Sequence, residues 1–465
     1  MTEVPLNELE VGELVRRLHR RDISAVALAE ACLAASASVR DTINAHVALD
    51  EGKVLAEARA LDNMREGGVV AGPLHGIPVA IKDNFWTRDY PTTACSRVLA
   101  DSPAGIDATV VGRLRAAGAI IFGKTNMHEW AYGATNTSSA FGPVRNPWNP
   151  DHISGGSSGG SAAALAARVV PAALGSDTGG SVRIPAAACG VCGLKPTYGR
   201  VSRFGVLPLS FSLDVAGPMA RSARDLGILL DVLSGEDPRD PTTRVDRHAV
   251  SRSPGTRLAV LRGEGILCDE DVGRAFENAL GEFREAGFML TDVEVPGLER
   301  GFGIWKVIML AEASAWHARY LETHAASYGE DVRVQLQAGQ HIAAVDYLGA
   351  QQFRTRLVTG FQDILKHHDA VCLPTLPVAA PAHGETNITV GKKRISAQDA
   401  MTVMPWIANL TGLPAVSIPS GSNAAGLPVA LTVMGRPFGE ETILDIAGTF
   451  QSVTDWHTLK PRMVA

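Results

Sequence analysis

Two serine- and glycine-rich stretches hold the hydroxyls of this sequence best placed for covalent chemistry: "SGGSSGGSAAA" at 154–164 and "GSDTGGSVRIPAA" at 175–187. In the second, Ser181 follows two glycines at the end of an apolar run that reads as a buried strand. Glycines at such a point let the backbone come close to a ligand and turn several N–H groups toward one atom, as an oxyanion hole requires. A serine there could be a nucleophile, but a hydroxyl is nearly inert at neutral pH and needs a base. None of the 13 histidines sits among residues that would mark a triad. His75 precedes a strand, His128 lies in "NMHEWAY" and His152 stands just before the first glycine stretch. His128-Glu129 would open a zinc motif only if position 132 were histidine, and it is Tyr132, so no metal site is expected.

Lys82, closing the apolar run "GIPVAIKD", admits two readings. It is either paired with the adjacent Asp83 at a strand end, or it is a base kept neutral by burial. The second would bring its pKa from about 10.4 to near 7, at a cost of about 4.6 kcal/mol. The residues alone leave both open. The stretch at 154–164 lacks the Gly-Lys-Ser/Thr ending of a phosphate loop. Asp151–Ile153 ahead of it read as no strand, which argues against a dinucleotide turn. Its glycines feed directly into an alanine-rich helix, so it is no plain linker either.

The elements that must position these residues alternate along the chain. Residues 1–65 read as helices, with Ser24 as N-cap of "AVALAEACLAAS". A buried strand at Ile77–Ile81, the helix "DATVVGRLRAAG", the strand "AIIFGK", the helix "SSGGSAAALAAR" and the strand "VVPAALGSDT" follow. The rhythm resumes after residue 255 with "RLAVLR", "DEDVGRAFENALGEFREAG" and "FMLTDVEV"; residues 303–367 are mostly helical, "DAVCLPTLP" is a further strand, and "AVSIPSGSNAAGLPVALTVMG" is two strands about a Gly-rich turn. Such alternation argues for α/β. The polar, proline-bearing stretch 234–256 is the only plausible linker, though strands on both sides could share one sheet.

Hydrophobic residues make up 46% of the 465 residues and charged residues 20%, a folded soluble composition with ample core. The net charge of −6 offers no basic stripe for nucleic acid. No apolar run approaches the roughly 18 residues of a membrane span, and the start "MTEVPLNELEVGELVRR" is acidic and amphipathic. A cytoplasmic protein is expected. Six scattered cysteines suggest reduced thiols, and Cys189-Gly-Val-Cys192 reads as small buried thiols on a tight segment.

With "GIPVAIKD", "GKTNMHEWAYG" (123–133), "SGGSSGGSAAA" and "ALGSDTGGSVRIPAAACGVCGLKPTYGRVS" (173–202) in order, the sequence resembles the amidase signature family. The likeness continues through "DVAGPMARSARDLGILL", "NLTGLPAVSIPSG" and "GLPVALTVMGRP", and is loosest between 260 and 400. It implies an α/β fold with a large mixed, mostly parallel central sheet covered by helices on both faces. One domain spans 1–465: N-terminal helices at 1–65, a signature core at 70–230, and a C-terminal part of the same sheet at 255–465 with a helical insertion near 300–370.

The resemblance also implies a Ser-cis-Ser-Lys triad: Lys82 as base, Ser157 as bridge and Ser181 as nucleophile. The family spacing selects Ser157 over Ser158, with the Gly156–Ser157 peptide cis. The N–H groups of Thr178, Gly179, Gly180 and Ser181 would form the oxyanion hole, and Asp177, Arg183 and Ser158 would brace the loops. Trp130, Ala131, Tyr132 and Gly156 are candidate substrate contacts. No cofactor is expected. The expected partners are a small-molecule amide and a second copy in a homodimer, without nucleic acid or membrane.

Among family members, a stand-alone amidase acting on a small carboxamide is favoured over the glutaminase subunit of a tRNA-dependent amidotransferase. That subunit is resembled at "FGPVRNPW" and "LKPTYGRVSRFGV", but usually reads Arg-Gln-Pro where this chain has Arg183-Ile184-Pro185. Two further readings fit the same residues: ester or carbamate cleavage by the same nucleophile, and a non-catalytic binding protein with this fold.

Overall fold

The strands, in chain order, are β1 (His46–Ala48), β2 (Pro78–Lys82), β3 (Ile120–Thr125), β4 (Arg145–Asn146), β5 (Asn149–Ile153), β6 (Ala172–Asp177), β7 (Cys192–Lys195), β8 (Val215–Ala220), β9 (Arg257–Leu261), β10 (Met289–Val293), β11 (Ala370–Pro374), β12 (Asn387–Val390), β13 (Lys393–Ser396), β14 (Ala415–Ser422) and β15 (Pro428–Met434). Eleven of them build one sheet in the computed structural model, in the order β1-β3-β2-β6-β8-β7-β14-β15-β11-β9-β10. The structure describes residues 4–99, 105–245 and 255–464.

The sheet is mixed. The neighbours β3, β2 and β6 run parallel, as do β11, β9 and β10. Between these blocks the pairings are antiparallel, as is β1 on β3. Chain from both sides of the polar stretch 234–256 therefore enters the same sheet, and residues 246–254 of that stretch lie outside the described residues, as do Met1–Glu3.

Both faces of the sheet are buried, as alternate residues along a strand must be when each face carries a core. Leu258, Val260, Ala370, Cys372, Val416 and Val433 join one apolar cluster. Their strand neighbours Ala259, Leu261, Val371, Leu373, Ala415 and Met434 join the other. The first cluster takes in the N-terminal helices, the second the long helices Leu298–His324 and Ala344–His367.

Most expected elements are present, including the N-cap at Ser24, whose hydroxyl accepts the Ala27 N–H at 3.0 Å. The reading of Asp151–Ile153 as no strand is corrected. β5 pairs with β4 in a two-stranded hairpin, and Ile153 donates its N–H to Pro381 O at 3.0 Å. The side-chain amide of Asn146 fixes the hairpin by donating to the carbonyls of Ile153 (3.1 Å) and Ala188 (2.8 Å). Pro150 and the polar residues around it hide such a short ribbon from any periodicity argument. The glycine stretch after it still has no Gly-x-Gly-x-x-Gly spacing, so no dinucleotide turn follows from the strand.

What matters for the site is the parallel block. β2 and β6 are neighbours running the same way, so their carboxyl ends deliver Lys82 and Ser176-Asp177 to the same end of the sheet. The helix Gly159–Ala166 packs on β2 and β6 and brings Ser157, two residues before its start, to that end as well.

The N-terminal helix Val11–Arg20 is tied down from a distance: Asp225, buried on Ala223–Leu233, accepts the N–H groups of Val11 (2.8 Å) and Gly12 (3.0 Å). Removing this acceptor leaves two helix-end donors unmatched. Asp225→Ala should therefore lower stability by about 1–3 kcal/mol, read as a lower denaturation midpoint. An unchanged midpoint would contradict this role for Asp225.

Candidate active site

Lys82 is fully buried, and its Nζ is hydrogen-bonded to Ser157 and Ser176 rather than paired with its neighbour Asp83. The Asp83 carboxylate is directed elsewhere: Oδ1 lies 3.2 Å from Lys124 Nζ, and Oδ2 accepts from the N–H groups of Thr93 (3.2 Å) and Cys95 (3.1 Å) and from the Thr93 hydroxyl. Lys124 is held in turn by the carbonyls of Phe85 (2.9 Å) and Pro91 (3.0 Å). The lysine–aspartate pair open to the sequence is thus formed by a different lysine.

Around Lys82 Nζ stand only neutral oxygens at bonding distance: Ser157 Oγ at 2.7 Å, Ser176 Oγ at 2.8 Å and Ser176 O at 3.3 Å. Burial pulls the Lys82 pKa down to about 7, against the opposing pull of Asp177 and Asp214. A neutral amine has two N–H donors and one lone pair. With both Ser176 oxygens taking the donors, the lone pair is left for the Ser157 hydroxyl.

No sequence signal pointed to Ser176. It comes into play because β6 lies beside β2, and Asn84 fixes it by donating to its hydroxyl at 3.0 Å.

The Gly156–Ser157 peptide is cis. Ser157 O accepts the His128 N–H at 3.1 Å, and the next N–H, that of Ser158, donates to Ser181 O at 3.1 Å. The two serine stretches are therefore joined through their backbones. The Ser158 hydroxyl donates to Ser176 O at 3.3 Å.

The turn carrying Ser181 is built around a buried ion pair. Asp177 accepts from Gly180 N–H (2.8 Å) and Val182 N–H (3.2 Å), and from Arg183 Nε and a terminal guanidinium nitrogen (3.0 Å each). Burial opposes charge on Asp177, yet the Arg183 guanidinium holds its carboxyl below its ordinary value. Asn409 closes the bracket, accepting from Arg183 at 2.8 Å and donating to Asp177 O at 2.9 Å.

Gly180, at φ +121, adopts a backbone that a side chain would disfavour. Its N–H, expected among the oxyanion donors, is committed to Asp177. Among the described residues the N–H groups of Thr178, Gly179 and Ser181 have no partner, so these three remain available to a ligand oxygen. Thr178 is itself anchored: its hydroxyl donates to Asp214 at 2.6 Å, and its carbonyl accepts from Trp305 Nε1 at 3.1 Å. Burial pushes the Asp214 carboxyl up to about 6.

Ser181 opens on a cavity. Ala131 and Tyr132, expected as substrate contacts, line it, together with Gly133, Ala134, Gly179, Ile184, Leu209, Trp305 and Met309. Lys306, Gln335, Gln398, Asp399 and Thr402 supply polar groups. Trp130 does not reach the wall. Its backbone is left-handed at φ 54 and its ring packs among Trp316, His317, Tyr320 and Tyr328. Gly156 is not in the wall either. It lies beneath it, where a Cβ would come within 2.9 Å of Gly133 O and Asn136 N.

The broken zinc motif has a packing role: His128 Nε2 is 3.0 Å from Asp331 Oδ2, and Glu129 accepts the Gly329 N–H at 2.7 Å. No cluster of three or more His, Cys, Asp or Glu able to hold a metal occurs among the described residues. Cys189 and Cys192 are buried free thiols whose pKa burial pushes up, for Cys192 to about 12. No helix among the described residues is long and apolar enough to cross a membrane.

The family model described as Amidase matches residues 27–444. A glutamyl-tRNA(Gln) amidotransferase subunit of Chloroflexus aurantiacus is 40% identical over 497 aligned residues that cover 100% of both chains. Among solved structures, a crystal structure of an amidase is similar at a TM-score of 0.88 and 34% identity, covering 96% of this chain and 99% of that one. The corresponding glutamyl-tRNA(Gln) amidotransferase subunit of Thermotoga maritima is similar at 0.79 and 35%, covering 96% and 95%.

The state of Lys82 has a thermodynamic signature independent of any reaction. Its folded pKa lies below the unfolded value, so between about 7 and 10 the unfolded chain binds a proton that the folded chain does not. The cost of burying this lysine is full below pH 7 and fades as pH rises. Lys82→Met should therefore gain stability over the wild type at pH 7, and that gain should shrink by roughly 1.4 kcal/mol per pH unit toward pH 10. Denaturant unfolding of both proteins across this range checks it; a gain independent of pH would mean a charged Lys82.

Proposed function

The chain belongs to the amidase family, and from that premise we propose that it hydrolyses an amide C–N bond with Ser181 as nucleophile, Ser157 as proton relay and Lys82 as base. The observation that carries this reading is the 2.7 Å contact between Lys82 Nζ and Ser157 Oγ, with Asp83 turned away to Lys124. Neutral Lys82 takes the Ser157 proton while Ser157 takes that of Ser181, whose Oγ attacks the carbonyl carbon. Donors at Thr178, Gly179 and Ser181 meet the oxyanion as it forms. As the C–N bond breaks, the proton passes from Lys82 through Ser157 to the leaving nitrogen, which departs as ammonia or amine. Water, deprotonated through the same relay, then attacks the Ser181 ester and releases the carboxylate. Asp177, Arg183 and Ser158 hold the two loops in register.

For the substrate, we propose the amidotransferase-subunit reading: the chain releases ammonia from glutamine for transfer within a larger assembly. Full-length similarity to the glutamyl-tRNA(Gln) amidotransferase subunit supports it over the stand-alone amidase favoured by the sequence alone. One observation favours a stand-alone enzyme as a second reading: Ile184 stands in the cavity wall beside Ser181, where that subunit usually has glutamine.

A fluorophosphonate probe should label the wild type and not Ser181→Ala; equal labelling of both would remove the nucleophile. Lys82→Ala should lower kcat about 10²–10⁴-fold. Because the base works only when neutral, kcat/KM of the wild type should rise with pH through about 7. Ammonia release from glutamine, measured with and without the other amidotransferase subunits, separates the two readings. Stimulation by the partners supports the first, and efficient cleavage of an anilide, ester or aryl carboxamide by the chain alone supports the second.

A further inference from the structure

The wall of the Ser181 cavity is apolar near the nucleophile, yet it carries one ion pair. Lys306, on the helix Leu298–His324, and Asp399, on the helix Ala397–Thr402, both line the cavity, and their charged atoms lie 2.5 Å apart. Each side chain is about one-third exposed, 37% and 33%. A pair this exposed adds little to stability, since solvent screens it and both side chains lose freedom in forming it. It is not needed to hold Lys306 in place either, because the Phe302 ring lies 4.8 Å from the ammonium. Inside a cavity whose remaining wall is mainly carbon, however, a charge acts at a lower effective dielectric than at an open surface, and its effect on a bound charge is correspondingly larger.

The pair is neutral as a whole, so it does not favour a substrate with net charge. It is a fixed dipole, and its complement is a group carrying a carboxylate and an ammonium on neighbouring atoms. Such a head can replace the internal contact with two new ones, carboxylate to Lys306 and ammonium to Asp399, at no net loss of paired charge. A neutral amide leaves the pair as it is and gains nothing from it. Gln398, next to Asp399, is immobilised by accepting the Ala134 N–H at 2.9 Å, which fixes the helix carrying Asp399 against the wall that holds Ala131 and Tyr132.

We propose that Lys306 and Asp399 determine specificity by reading a zwitterionic, amino-acid-like head on the amide substrate, and that they select such amides over neutral ones of the same length. This rests on the hydrolytic reading of Ser181.

The test compares kcat/KM for glutamine, for 4-carbamoylbutanoate, which lacks the ammonium, and for pentanamide, which lacks both charges. The wild type should prefer glutamine to pentanamide. Lys306→Met should cut the glutamine-to-pentanamide ratio about tenfold, chiefly through KM, and should cut the ratio for 4-carbamoylbutanoate as well. Asp399→Asn should cut the ratio for glutamine and not for 4-carbamoylbutanoate. The exchanged double variant, Lys306→Asp with Asp399→Lys, restores the strap between the two helices; a merely structural pair would then recover the wild-type ratio, whereas a reading pair leaves it reduced.

Recovery in the double variant, or equal effects on all three amides, would overturn the proposal. A wild type that labels at Ser181 but prefers pentanamide, or cleaves neither amide, would overturn it while leaving the nucleophile in place. A wild type that does not label would remove the hydrolytic reading itself.

Discussion

Everything proposed for this site depends on where one carboxylate points. Asp83 follows Lys82 directly in the chain, and at a few ångströms in a dry interior an anion would hold the lysine protonated. The strand geometry prevents it. Successive side chains leave a strand on opposite faces, and Asp83 is claimed by Lys124 on one side and by the Thr93–Cys95 turn on the other. Two buried lysines and one nearby carboxylate are thereby sorted: Lys124 receives the anion, and Lys82 receives only serine oxygens. The low pKa of Lys82 follows from that allocation, because burial disfavours its charge and the nearest atoms do not restore it.

The same allocation governs the second anion of the site. Asp177 stands at the end of β6, close enough to act on Lys82, but its oxygens are taken by Arg183 and by the N–H groups of Gly180 and Val182. This arrangement confers two properties. It counters a negative charge that would raise the Lys82 pKa, and it fixes the turn so that three neighbouring N–H groups stay unpaired. Donors held open in advance need no reorganisation when negative charge forms on a substrate oxygen, which is the source of their strength. The loss of Gly180 as a donor is the consequence of using its N–H to make the turn rigid.

How much of this was legible in the sequence differs by residue. The alternation of elements, the buried strand ending at Lys82 and the glycine turn before Ser181 are local features, and local reasoning reached them. The choice between a paired and a neutral Lys82 was not local, because it is made by Lys124 from a neighbouring strand, and only the family resemblance pointed the same way. Ser176 escaped notice although it lies between the glycines that lead to Ser181, since its role comes from the lateral register of β6 on β2. β5 escaped because a strand containing Pro150 and the three polar residues Asn149, Asp151 and His152 shows no period-two pattern. Trp130 was expected at the cavity, with Ala131 and Tyr132, because "EWAYG" resembles the family segment that lines the acyl pocket, but a left-handed backbone turns its ring into an aromatic cluster instead.

The least legible part is the side of the cavity facing Ser181. Trp305, Lys306 and Met309 come from one long helix, and Gln398, Asp399 and Thr402 from a short one far along the chain. Neither segment carries a motif, and both fall within or near the region where the resemblance to the family is loosest. This division has a physical reason. The proton relay proposed over the 2.7 Å contact of Lys82 with Ser157 would tolerate little displacement, which confines the residues of β2, the turn after β6 and the Ser157 loop to one geometry and one set of side chains. A wall that touches a substrate has only to match its shape and charge, and many helical surfaces can do so. Chemistry shared across a family can thus accompany different substrates: the proposed reaction belongs to the sheet end, and the proposed choice of amide to the helices laid over it.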